Sequence, residues 1–233
     1  MRTTLLWFFA LTFFGCSTND SFQKPSFFHY FEEEIEFLKF KWVIKTKPNN
    51  SQKIIFLVKI GDFNENENLL FLGAKKYISS FYKVEVLEKN FNFHKLKSRK
   101  SEFGKQFNAK QIFDSLMIPN LPKNCLSFLA ISNEDIYPQE SFNYCFGKAS
   151  FETRVAVVSF KRFMNNKQYL KNKLVFQEAF FKTITHEIGH NLKLKHCELN
   201  VCNMNAVQTM SHSLKLNKQF CSLCQRKIDF TRN

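Results

Sequence analysis

The sequence predicts an α/β domain organised around a sheet, and three observations carry that prediction. Short β-branched, apolar runs recur along the chain, segments with apolar residues at helical spacing stand between them, and no internal repeat breaks the alternation. The first run, KIIFLVKIG (53–61), ends on a glycine and reads as a buried strand. Leu70, Ala74, Tyr77 and Phe81 then fall on one face of a helix. YKVEVLE (82–88) alternates apolar with polar residues, as a strand with one covered face does. Ala109, Ile112, Phe113 and Leu116 mark a second helix, ended by Pro119 and Pro122. CLSFLAI (125–131) and RVAVVSF (154–160) are further strands. The loop between them (132–150) carries Pro138 and Gly147, and its length makes it functional or disordered. YLKNKLVFQEAFFKTITHEIGHNL (169–192) reads as one long helix.

A chain of 233 residues suits one domain, or one domain with a small lobe, and 44% hydrophobic residues supply ample core. The 30 phenylalanines are a drift of the whole composition and carry no base-stacking platform. A net charge of +14 would suit nucleic acid or anionic lipid, but the basic residues are scattered. The densest run, HKLKSRK (94–100), matches no nucleic-acid module, so nucleic acid is set aside as a partner.

Arg2, the twelve-residue, mostly apolar stretch Thr3 to Phe14, and the stop at Gly15-Cys16 read as a signal segment over 1–15. The stretch is too short to span a membrane, which takes about 20 apolar residues. A small residue followed by cysteine resembles a bacterial lipoprotein signal, with cleavage before Cys16 and lipid on that residue, although Phe13 stands where leucine is usual. Residues 16–52 would then be a tether and N-terminal extension, with STNDSFQKPS (17–26) leading away from the membrane, and 53–233 the folded domain. The expected placement is the bacterial cell envelope, held by the lipid anchor. A secreted or cytoplasmic protein is the second choice.

The stretch HEIGHNLKLKHCELNVCNM (186–204) carries the chemistry. His186 and His190 stand one turn apart and project from the same helix face, so both rings can reach one metal ion. Glu187 lies about 100° round the helix, beside the ion but outside its ligand set, where it can act as base on a metal-activated water. His196 would lie about 240° beyond His190 in a continuing helix, facing away from the ion. The helix must therefore end near Leu192 and the chain bend back. Three neutral imidazoles leave the fourth position for water, the arrangement of a catalytic zinc. Behind them, Cys197, Cys202, Cys221 and Cys224 form C-x4-C and C-x-x-C pairs, which suit either a four-thiolate zinc or two disulfides.

HEIGHNLKLKHC, CNM and CSLC together resemble the archaemetzincin signature, H-E-x-x-H-x-x-G-x-x-H-C followed by C-x-M and C-x-x-C. KIG (59–61), DIYP (135–138), FGKA (146–149) and VAVVSFKR (155–162) resemble upstream blocks of the same family in the same order, so the likeness runs over 53–228. The resemblance implies a metzincin-like fold, a twisted mixed sheet with helices above the cleft and a small zinc-bearing C-terminal lobe below. It implies a zinc metallopeptidase in which His186, His190 and His196 bind catalytic zinc and Glu187 is the general base. It further implies that Cys197, Cys202, Cys221 and Cys224 bind a structural zinc, giving two zinc ions per chain. Met204 matches the C-x-M methionine and is the expected Met-turn residue, with Met210 as the alternative. The expected partner is a peptide or protein substrate, and the expected state a monomer.

Three features depart from the family pattern. Lys193 replaces the usual glycine, and sixteen residues separate Met204 from Cys221, one fewer than usual. The last tyrosine is Tyr169, so no tyrosine follows the site to serve as a further ligand or oxyanion donor. The expected bend at residue 193 needs a left-handed conformation that a side chain strains, so Lys193→Gly should stabilise the fold. A catalytically idle zinc-binding scaffold, holding a peptide or partner protein, is the alternative function. The retained Glu187 argues for the enzyme.

Overall fold

The structure is a computed structural model that describes residues 27–43, 54–93, 96–165, 171–206, 209–215 and 217–232. Cys16, the signal segment and the polar tether 17–26 lie outside the described residues.

The five-stranded sheet has the order β2-β1-β5-β8-β7, formed by β1 (Ile54–Ile60), β2 (Glu85–Phe91), β5 (Ser127–Ser132), β7 (Gly147–Ala149) and β8 (Val155–Ser159). The first four strands of that order are parallel, and β7 closes one edge antiparallel to β8. A smaller sheet joins β3 (Ser98–Ser101), β4 (Gly104–Asn108) and β6 (Asp135–Tyr137). The two faces of the large sheet are filled by alternate residues. Leu129, Ile131, Ala156 and Val158 pack under α2 (Glu65–Tyr82) and α5 (Lys173–Asn191). Phe128, Ala130, Val155 and Val157 pack against α3 (Ala109–Ile112) and the helical turns that continue it to Asn120. Burial on both faces is why β1, β5 and β8 read as mostly apolar runs without a clear alternation.

Several boundaries differ from the sequence expectation, each for a local reason. α2 begins at a capping box, in which the Asn64 side chain accepts from Glu67 N and the Glu67 carboxylate accepts from Asn64 N. It runs through Tyr82, whose hydroxyl donates to Thr185 O at 2.9 Å and ties α2 to α5. Lys83, at φ 52°, then turns the chain, so the strand expected over 82–88 starts at Glu85 instead. The expected helix 169–192 begins at Lys173 among the described residues, because Asn172, at φ −149° and ψ 58°, is not helical. The loop 132–150 holds β6 and β7, each three residues long and too short for an alternation to show.

The N-terminal extension contains α1 (Phe27–Val43), for which the sequence reading assigned no element. It docks on α7 (Ser222–Arg232), where Arg226 pairs with Glu34 at 2.7 Å and the Phe37 ring meets Phe230 edge-on at 6.0 Å. Two short helices complete the chain, α4 (Lys161–Met164) after β8 and α6 (Met210–Lys215) before α7.

Candidate active site

α5 brings the chemistry to the open edge of the sheet. Phe180, Ile184 and Ile188 are fully buried and fix the helix in the core, and His186 and His190 project into a cleft beside β7. The helix ends as the spacing of His196 requires. Leu194 N donates to Gly189 O at 3.0 Å and Lys193 N to His190 O at 2.9 Å, the paired bonds of a Schellman end. Lys193 itself stands at φ 71°. Its ammonium donates to Phe151 O, and the Phe151 ring lies 5.0 Å from the His190 ring. Beyond this turn His196 folds back, and one ring nitrogen from each of the three histidines falls within 4.8 Å of the others.

The ring nitrogens are already assigned by their neighbours. His186 Nδ1 donates to Asn203 O and His190 Nδ1 to Leu194 O, both at 2.7 Å. The two Nε2 atoms therefore turn lone pairs toward each other across 3.0 Å, which is repulsive unless a cation lies between them. Burial, then the neighbouring imidazoles, holds His186 down to about 3, and burial holds His190 down to about 4. Neutral imidazoles are the form a metal requires.

Glu187 is buried, and burial pushes its carboxyl up to about 8, while the Lys148 ammonium draws it down. β7 lies directly against it. A Cβ on Gly147 would come within 2.7 Å of Glu187 Cγ and Oε1, so only glycine leaves room for the carboxyl. Met204 is fully buried beneath the helix, and a Cβ on Gly189 would meet its Sδ at 2.5 Å. Met210 falls in α6, and nothing is described of its side chain.

The four C-terminal cysteines converge as the pairs predict. Their sulfurs lie within 4.8 Å of one another, and all four thiols are free. Cys197 and Cys221 are 3.9 Å apart, against about 3.8 Å between sulfurs bound tetrahedrally at about 2.3 Å and about 2.05 Å in a disulfide. Met204 N and Cys221 N both donate to Cys202 Sγ. Hydrogen bonding from Cys197 holds Cys202 below the usual thiol range, and Cys197 is itself pushed up by that bond. Of the two readings the sequence left open, this geometry takes the metal cluster. The donor sets fit two zinc ions, one among the imidazoles and one among the thiolates. Because Cys197 follows His196 directly, the thiolate cluster also anchors the third histidine.

Some residues at the site were not singled out by sequence. Lys148 and Gly147 belong to the FGKA block without a stated role, and Asn203 sits between two marked residues in CNM. Phe151 carries no sequence signal.

Residues 74–230 match the family model Peptidase family M54. The chain is 28% identical over 137 residues to archaemetzincin-2 of Rattus norvegicus, covering 47% of this chain and 38% of that protein. It is 32% identical over 104 residues to the archaemetzincin of Halobacterium salinarum strain R1, covering 43% of this chain and 60% of that protein. It thus spans less than two thirds of the length of either relative. In fold it is similar to the archaemetzincin of Methanopyrus kandleri, with a TM-score of 0.61 at 23% identity, covering 79% of this chain and 97% of that one. The Archaeoglobus fulgidus archaemetzincin gives a TM-score of 0.57 at 24% identity, covering 74% and 99%.

Proposed function

Because the chain belongs to Peptidase family M54, the archaemetzincin zinc metallopeptidases, we propose that it hydrolyses peptide bonds in the cleft between α5 and β7. One observation supports this most directly. Two buried imidazoles turn bare lone pairs onto one point while a buried carboxyl stands beside them. In this reading His186, His190 and His196 hold the catalytic zinc, Cys197, Cys202, Cys221 and Cys224 the structural one, and Met204 is the Met-turn residue. The catalytic ion supplies Lewis acidity, acidifying water and polarising a carbonyl.

The remaining steps belong to the chain. Glu187, buried against β7 and next to His186 in the chain, takes the proton from water and returns it to the leaving amine. Asn203 O and Leu194 O hold the rings of His186 and His190 in the tautomer that frees Nε2. β7 ends its sheet among the described residues, so its outer backbone edge can pair with an extended peptide lying in the cleft.

Glu187→Gln should keep both zinc ions and the fold while turnover of a mixed peptide library falls at least ~100-fold. Metal analysis and a turnover assay on the same preparation check this, and equal turnover would leave the idle scaffold as the better reading. We also propose that Cys16 carries lipid and anchors the chain to a bacterial envelope, on the sequence pattern alone. No helix among the described residues is long and apolar enough to cross a membrane. Mass spectrometry of the N-terminal peptide checks the anchor, and an unmodified Met1 would refute it.

A further inference from the structure

Among the described residues, the active-site cleft, of 920 Å³, is lined by three lysines, Lys148, Lys182 and Lys195, and by a single carboxylate, Glu187. Lys182 is committed elsewhere. It is buried, its ammonium lies 3.4 Å from Glu178, and it donates to Ser213 O and Leu214 O. Lys148 and Lys195 are exposed, and neither makes an ion pair among the described residues. They come from different elements, Lys148 from β7 and Lys195 from the segment leading to His196. A second cavity of 1320 Å³ shares Lys195 and His196 with the cleft and is walled on its far side by α1. It carries four carboxylates against four ammonium groups, so it makes no net choice by charge. The charge that can select a substrate therefore sits in the cleft itself, where low-dielectric walls focus the field of two unpaired cations.

We propose that the cleft selects peptides bearing an aspartate or glutamate side chain beside the bond to be cut, with Lys148 and Lys195 recognising that carboxylate. The position of the cut bond rests on the peptidase reading above. The selection itself is a binding property and can be measured without turnover.

The zinc-loaded whole chain, in a Glu187→Gln background common to every arm, is titrated with three fluorescein-labelled peptides. The peptides share one alanine-rich framework and carry a central pair of Glu, Gln or Lys. At low salt the Glu peptide should bind about 10-fold tighter than the Gln peptide, and the advantage should shrink as salt is raised. Lys148→Gln with Lys195→Gln should abolish it, the two arginine substitutions should retain it, and Lys148→Glu with Lys195→Glu should transfer it to the Lys peptide. A Glu peptide that binds no tighter than the Gln peptide would overturn the proposal. So would a preference that survives in the double Gln variant, since the carboxylate would then be binding zinc alone. Zinc content and melting temperature of each variant report that it is folded. If the preference is found but the Glu187-bearing chain also fails to turn over the mixed peptide library, the peptidase reading fails and the binding selectivity stands.

Discussion

Lys193 stands at φ 71°, a conformation that costs an L side chain about 1–2 kcal/mol, yet its ammonium donates to Phe151 O. The bend expected from the spacing of His196 is there, and so is the strain. The sequence could not show that the side chain gives part of it back, through a bond of about 1 kcal/mol that also holds Phe151 on His190. Lys193→Gly should therefore change stability less than strain alone would predict. Lys193→Met keeps the strain and loses the bond, so it should melt below both the parent and Lys193→Gly, the gap to Gly being about 1 kcal/mol. Thermal melts of the three proteins decide it, and a Met variant as stable as the parent would remove the bond from the account.

The histidines set the pH response of the metal-free protein. His186 and His190 are held down to about 3 and about 4, below the ordinary 6.5, so the unfolded chain binds their protons first. Their stabilisation is complete above about 6.5 and is lost as pH falls toward 4. Glu187, raised to about 8, acts in the opposite sense, its contribution complete below the ordinary 4.5 and lost as pH rises through 8. Melting of the chelated protein should thus fall on acidification below about 6.5, where two histidines outweigh one glutamate. Glu187→Gln should lessen the loss on the alkaline side. A melting temperature that rises between pH 6.5 and 4 would contradict this.

At the scale of elements, α5 and β7 make the site together. The helix supplies the groups and the strand the wall that confines Glu187. Gly147→Ala would place a methyl 2.7 Å from the Glu187 carboxyl, which must then shift, while the histidines keep their places. Zinc content should hold and turnover fall on the order of 10- to 100-fold, as for a base displaced by a fraction of an ångström. Turnover with metal analysis checks it, and unchanged turnover would mean that β7 yields instead. The helix was legible because its apolar residues recur over several turns and its two histidines stand one turn apart. β7 was not, since three residues carry no period and it is a strand only because β8 offers an edge to pair with.

Across the whole molecule, the thiolate cluster holds the C-terminal lobe and the third histidine at once. Cys202 accepts hydrogen bonds from Met204 N and Cys221 N, so it links the segment after the triad to the start of α7. α7 in turn carries α1 through Arg226–Glu34 and Phe37–Phe230. Cys202→Ser should lower zinc from two ions per chain to one or fewer, because His196 loses its anchor at Cys197. Amide exchange should rise in α7 and α1 together and stay low in β1, β5 and β8. Retention of both ions, or exchange confined to α7, would break the proposed linkage.

The sequence by itself determined the histidine triad, the sheet-based α/β class and the end of α5, because ligand spacing and helical period are local quantities that any fold of this chain must respect. It reached the left-handed turn at residue 193 by the same arithmetic. Only the tertiary structure decided that the four cysteines converge as free thiols, that Gly147 makes room for Glu187, and that Asn203 O and Leu194 O orient the two imidazoles. It also decided that α1 covers α7 and that Lys148 and Lys195 share one cleft. Each of these joins residues brought together by packing, and packing depends on which faces are buried against which, a property no single segment carries.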